Sequence, residues 1–327
     1  MSGPERKGFW MRTSPGARDV MDTARSVGRR ILRSEYFVLY LTLAYFLCVL
    51  PFQPRLAGGR NIANIASNMW PLLTVAVGQT LVLIVAGIDL SQTSVMALTS
   101  VLGALMMTSR VDPALFAKSP LWGIVLSENG GPFSGGVLAI PAGLMVMLAA
   151  GAAAGCINGL CVAVARMPPF MVTFVGLMFY QRLAVFLTKS ENIMHLPSGF
   201  VALGKGTVFF VPVPLLMAAG VAVAIAFVLR RTVLGRRLYA TGTNAGAALL
   251  SGVPTKQTIL IAYTLSGLCA AVGAVLYSAR LECGRPTLGS NLLLDIVGAN
   301  VIGGNSLFGG RGRITWTAFG VLFFVVL

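Results

Sequence analysis

The sequence predicts an all-α, polytopic transmembrane helical bundle of about eight to ten spans with a cytoplasmic N-terminus. Two observations carry this. Of 327 residues, 56% are hydrophobic and only 11% charged, with a mean hydropathy of +0.81, far from the balance of a soluble domain. The basic residues, moreover, cluster between apolar runs, where membrane topology requires them. A net charge of +15 would suggest nucleic acid in a soluble chain. No amphipathic or aromatic-interleaved basic surface accompanies it here, so that partner is set aside.

The elements follow in order. Residues 1–35 carry eight Lys/Arg, four acids and no apolar run, and read as a polar cytoplasmic arm rather than a signal peptide, whose apolar core would begin nearer Met1. Residues 36–327 form the membrane domain. Its spans, each needing about twenty mainly apolar residues to cross the hydrocarbon, are expected at 36–52, 69–88, 92–109, 137–165, 170–188, 208–229 and 257–279, followed by a shorter, Gly-rich 292–304 and a last run at 314–327.

Six spans separate the arm from "LRRTVLGRR", which places Arg230, Arg231, Arg236 and Arg237 on the same face as the arm. On that topology sixteen Lys/Arg lie inside and eight outside, the bias of the positive-inside rule.

Nothing in the chain reads as a catalytic or metal site. His195 is the single histidine and has no neighbouring ligand, so it reads as a solvated loop residue. Four of five cysteines, Cys48, Cys156, Cys161 and Cys269, lie in apolar runs without a CxxC pair and read as packing residues. "GFVALGKG" nearly spells a phosphate-binding loop, but Gly206 stands where Ser or Thr must hold magnesium. "GGNSLFGGRG" (Gly303 to Gly312) reads as a tight turn between membrane segments. No cofactor is therefore expected in this chain.

What remains are polar residues inside the spans, which are costly there and face protein or water: Gln79, Asp89, Asn158, Arg182 and Asp295. "GIDLSQ" interrupts an apolar run at Gly87 and offers Asp89 or Ser91 as the N-cap of a helix starting near Gln92. The alternative, compatible with the first, is a broken helix whose Asp89 or exposed backbone lines a solute pathway. Asp295 and Arg182 could pair across the bundle.

These residues also carry a resemblance. "VAVGQTLVLIVAGIDLSQTSVMALTSVLGA" resembles the second and third spans of permease subunits of bacterial ABC monosaccharide importers, where "GIDLS" is a hallmark. "AAAGCINGLCVAVARMPPFMVTFVGLMFYQRLAVFLT", with Thr173 and Arg182, "LGRRLYATGTNAGAALLSGV" and "RPTLGSNLLLDIVGANVIGGNSLFGGRGRI" are similar to that family's later segments in the same order, from about residue 60 onward. The resemblance implies an inner-membrane subunit without its own ATPase site. It implies three kinds of partner besides membrane lipid: an ATP-binding subunit that holds ATP and Mg, a periplasmic sugar-binding protein, and a second permease copy or sister permease. Residues 229–256 become the ATPase-contact loop, with a short contact helix near 243–251 that involves Thr243, Asn244, Ala247, Leu250, Ser251 and Gly252.

Departures from the family pattern are local. Ala245 stands where members commonly carry an acid and Leu249 where an Arg often precedes Leu-Ser-Gly, so the contact is expected to rest on apolar packing. Leu293 replaces the usual Glu before Asp295, and the chain ends at "FFVVL" where members continue through another span. Two other classes stay open on residues alone. One is an ion-coupled secondary transporter using Asp89 or Asp295, for which no internal repeat is found; the other is a membrane assembly protein without transport.

Overall fold

In the computed structural model the described residues are Ser34, 36–208 and 211–327; the N-terminal arm otherwise lies outside them. Helices α1 (Phe37–Val49), α2 (Gly59–Ile84), α3 (Gln92–Met107), a single turn α4 (Pro113–Phe116), α5 (Ala139–Ala163), α6 (Pro169–Thr188), α7 (Ser198–Lys205), α8 (Val213–Arg231), α9 (Val233–Thr243), α10 (Ala245–Leu250), α11 (Thr255–Leu281), α12 (Leu293–Gly303) and α13 (Ile314–Val326) follow in chain order. Strands β1 (Thr207–Val208) and β2 (Val211–Pro212) pair as a small antiparallel hairpin before α8. Each of the nine expected spans has its helix. Of these, α2, α5, α6, α8 and α11 are long and apolar enough to cross a membrane, while α1, α3, α12 and α13 are shorter apolar helices.

The core is built on α11, which packs against α2, α3 and α5. Contact with α5 is close because that helix presents Gly151, Gly155 and Gly159 at four-residue spacing: a Cβ at Gly155 would lie 2.2 Å from the Tyr263 carbonyl, and one at Gly151 2.6 Å from that of Gly267. In lipid, where tails are as apolar as leucine, such small-residue stripes let backbones approach and gain dispersion contact. From Trp70 onward α2 is buried on nearly all sides between α11, α8, α12 and α13.

α2 begins at Gly59 rather than residue 69, and runs through Pro71. Proline has no N–H, so the Ser67 carbonyl one turn earlier loses its helical partner. Arg280, in the last turn of α11, donates to that carbonyl at 2.6 Å while its guanidinium lies 5.8 Å from the Trp70 ring. One side chain thereby repairs the gap and fastens α11 to α2.

α12 is short for a structural reason. After α11, Gly284 bridges Ile193, and the chain then turns back along α3 until Gly289 meets Met96 and the Thr93 carbonyl. The helix starts inside the bundle and covers only part of its depth.

Two ends emerge. The ends of α2 and α8, all of α9 and α10, the start of α11 and loop 304–313 share one; among the described residues it carries Arg166, Arg230, Arg231, Arg236, Arg237, Lys256, Arg311 and Arg313 but no acid. Asp112, Glu128, Glu191 and Glu282 lie at the other, where Lys205 pairs with Glu282. Described basic residues are thus evenly divided, and the two-to-one excess expected from the sequence rests on the arm.

One expectation needs correction. Residues 229–256 hold the expected short helix, α10, but are otherwise not a loop, because α9 precedes it. "GFVALGKG", set aside as a phosphate-binding loop, lies in helix α7 and its C-cap, packed on α11.

Candidate functional site

The break between α2 and α3 is the centre of the site. α2 ends with the Ala86 amide bonded to the Leu83 carbonyl and the Gly87 amide to that of Val82, a Schellman motif with Ala86 in the left-handed position at φ 61°. A non-glycine residue there costs about 1–2 kcal/mol, so the surroundings hold it. Gly87 is where a side chain has no room, since its Cβ would fall 2.5 Å from the Tyr263 hydroxyl. Ile88 offers its carbonyl to the Thr173 hydroxyl of α6 at 3.0 Å.

Beyond the break Asp89 is fully enclosed by donors. Its Oδ1 accepts from the Ser91 amide at 3.0 Å and the Ser91 hydroxyl at 2.7 Å; its Oδ2 accepts from the Ser266 hydroxyl at 2.7 Å. Each serine is polarised in turn, Ser91 by the Asn158 amide and Ser266 by the Gln92 amide, both at 2.8 Å. Gln92 also donates to the Val75 carbonyl at 3.3 Å, and Asn158 accepts from Tyr180 at 3.3 Å. An ionised carboxylate only accepts, so both serine hydroxyls donate to it. The network joins α2, α3, α5, α6 and α11 around one acceptor-only group.

The expected cap of α3 is therefore corrected. Ser91 is the N-cap residue but has helical backbone angles and makes no side-chain bond to an α3 amide; its hydroxyl is held between Asn158 and Asp89. Asp89 bonds the Ser91 amide, outside the helix. Of the polar residues picked from the sequence, Asp89, Ser91 and Asn158 converge with Gly87 beside them. Gln79 does not join: it is fully buried in α2 with neither amide atom partnered among the described residues. Asp295 and Arg182 form no ion pair, because α12 packs on α13 and α2 while α6 packs on α3 and α5. Asp295 lies instead in the first turn of α12, where a carboxylate complements the helix dipole.

A second buried cluster went unread in the sequence. The Thr80 hydroxyl lies 2.8 Å from Asn300 Oδ1 and 2.6 Å from Thr317 Oγ1, and Asn305 donates to both Asn300 (2.9 Å) and Thr317 (2.8 Å) while accepting from the Arg313 amide at 2.9 Å. This ties α2, α12 and α13 to loop 304–313, the tight turn anticipated at "GGNSLFGGRG". The loop then meets two other backbones. Gly310 donates to the Ile84 carbonyl at 2.9 Å, a Cβ at Gly242 would fall 1.7 Å from the same oxygen, and one at Gly309 would lie 2.7 Å from both Ala86 Cβ and the Gly242 carbonyl.

Gly242 stands at the end of α9, immediately before the expected contact segment. Asn244 caps α10, accepting from the Ala247 amide at 3.0 Å, whereas Thr243 closes α9 and does not open the contact helix. α10 presents Leu249 and Leu250 at 61% and 91% exposure, with Ser251 and the left-handed Gly252 turning the chain back towards α11. Arg230 and Arg231 end α8, and Arg236 and Arg237 are exposed on α9. Tyr239 of α9 donates to the Gly312 carbonyl at 2.7 Å; burial raises its phenol above the ordinary value against the pull of Arg313 and Arg230. Among the described residues no three His, Cys, Asp or Glu side chains gather as a metal site.

Comparison with known proteins agrees with this architecture. The profile of the family described as branched-chain amino acid transport system / permease component matches residues 61–327. The ribose import permease protein of Bacillus subtilis (strain 168) is 35% identical over 264 residues, covering 80% of this chain and 74% of that one. That of Escherichia coli (strain K12) is 31% identical over 313 residues, covering 92% and 88%. The D-allose transport system permease protein of the same strain is 29% identical over 287 residues, covering 88% and 79%. No solved structure matches.

Proposed function

The chain belongs to the branched-chain amino acid transport system / permease component family, and on that premise we propose that it builds the membrane pathway for a monosaccharide, a pentose, hexose or related polyol, in an ATP-binding cassette importer. The choice of sugar over amino acid comes from relatives named for ribose, D-allose and galactofuranose. ATP and magnesium belong to a separate ATP-binding subunit in this reading. A periplasmic binding protein delivers the sugar, a second permease copy or sister permease completes the pathway, and the arginine-rich end faces the cytoplasm of a bacterial inner membrane.

One observation carries the mechanism: the exposed Leu249–Leu250 tip of α10 is linked, through Gly242 and the Ile84 carbonyl, to the break that holds Asp89. A force applied to α10 by a closing ATPase has a short backbone route to the buried polar network around that break. Packed elements of this kind move between discrete arrangements rather than deforming continuously. Asp89 and its serines hold the break in one arrangement, and the apolar tip replaces charged contacts with buried area at the partner.

The test combines two measurements on cells producing the tagged chain. Co-purification from native membranes should bring an ATP-binding subunit in near-equal amount. Uptake of labelled ribose and related sugars should survive collapse of the ion gradient and stop when ATP is depleted. Uptake that follows the ion gradient, with no ATPase in the purified material, would overturn the reading.

A further inference from the structure

Where α8, α9, loop 304–313 and α13 meet there is a cavity of about 810 Å³, lined among others by Leu229, Arg230, Tyr239, Arg311, Arg313 and Trp316. Three guanidinium groups converge on a space that no acidic side chain among the described residues approaches. Arg313 is engaged with Trp316, its guanidinium 5.1 Å from the ring, and nothing below depends on its being available. Arg230 and Arg311 are exposed, and neither guanidinium bonds to a described residue. Two uncompensated cations beside a third make a strong local attraction for an anion, and guanidinium forks fit phosphate oxygens in pairs.

We infer that this cavity seats the phosphate of an anionic membrane phospholipid. Its walls select that source over a soluble anion. Ala226 in the last turns of α8 and Trp316 in the first turn of α13, both half-buried, lie over buried Leu229 and Ile314, so one side is apolar and formed by two membrane helices at the level where they leave the hydrocarbon. A free phosphate has no use for such a wall, whereas a phospholipid can lay an acyl chain along it with the headgroup among the arginines. Half-buried Trp316 is the residue type that favours this level, and basic pockets between helices are where anionic headgroups are held. The site depends neither on which leaflet this end faces nor on what the protein carries.

The experiment uses the full chain in nanodiscs, either of phosphatidylcholine alone or doped with increasing phosphatidylglycerol, with lipid retained after transfer to detergent counted by native mass spectrometry. Retention should favour phosphatidylglycerol. Combining Arg230→Gln with Arg311→Gln should weaken it by about fivefold for each arginine removed; Lys256→Gln, at the same end but outside the cavity, should leave it within about twofold. The folded state of every variant is checked by its elution profile. Equal retention of the two lipids, or a double variant that binds like the parent, would overturn the inference. So would displacement of the lipid by inorganic phosphate at millimolar level, which would identify a soluble anion. Loss of ATPase co-purification with lipid retention intact would make the cavity a protein seat and reject the lipid.

Discussion

The amide of Gly310 donates to the carbonyl of Ile84 across 2.9 Å, so the glycine-rich loop before α13 is bonded to the last residue of α2, immediately before the break. Gly242 packs against that same carbonyl from a third segment. Three backbones meet at a point where no side chain fits, and this makes coupling between the α10 tip and the Asp89 region testable. Gly242→Ala should reduce uptake by an order of magnitude or more, since its Cβ would displace either α9 or the end of α2. Gly246→Ala, whose Cβ would only touch the Asn244 side chain at 3.4 Å, should leave uptake near the parent level. Measured at equal membrane abundance, equal activity of the two variants would remove the junction from the mechanism.

Asp89→Asn should lower uptake through local structure and leave the choice of sugar unchanged. An amide nitrogen facing Ser266 cannot accept the hydroxyl hydrogen that Oδ2 receives, so that donor loses its acceptor. An unmatched buried donor costs about 1–3 kcal/mol. The expected outcome is a fall in thermal stability of the detergent-purified protein, with an unaltered order of competing sugars in uptake assays. A change in that order would mean that Asp89 touches the cargo.

Arg280→Ala should destabilise by about 1 kcal/mol, since it leaves the part-buried Ser67 carbonyl without its partner and removes the packing on Trp70. Restoring the helical donor with Pro71→Ala should recover part of that loss in the double variant, because Ser67 then bonds within α2. Apparent melting temperatures of the two single variants and the pair form a double-mutant cycle. Strict additivity would show that Arg280 acts only by packing on Trp70.

Leu250→Glu should abolish co-purification of the ATP-binding subunit without changing the melting temperature, as the side chain is almost wholly exposed and has no internal packing to lose. Charge reversal at both Arg236 and Arg237 should also weaken the assembly or disturb insertion. Unaltered assembly and uptake in the latter variant would count against the orientation.

Gln79→Met keeps volume while removing two unpartnered polar atoms from the interior. Stability should rise by about 1 kcal/mol or more, by the same desolvation argument. If uptake falls while stability rises, Gln79 serves the pathway; if both hold or improve, its amide has no transport role.

Hydropathy alone determined the helical membrane class, nine apolar runs that each hold a helix, and the interruption at "GIDLSQ", because the energy of placing each residue in lipid is largely local and sums along the chain. The arginine clusters expected on one face do share an end, and the turn at Gly303 to Gly312 is a turn. Asp89, Ser91 and Asn158 were legible as costly polar residues within apolar runs. Their partners were not: Ser266 lies 177 residues from Asp89, and Thr80 lies 220 from Asn300, and single serines, threonines and asparagines in a span carry no mark of whom they meet. With the span expected to begin at residue 69, Pro71 fell in its first turn and orphaned no carbonyl; the earlier start at Gly59 and the answer of Arg280 to Ser67 came from the structure. Only the tertiary structure decided that α3 starts without a side-chain cap, that Asp295 and Arg182 stay apart, and that Gly242, Gly309 and Gly310 converge on the end of α2. Those outcomes depend on which helices become neighbours, and neighbourhood is set by long-range packing that no local pattern encodes.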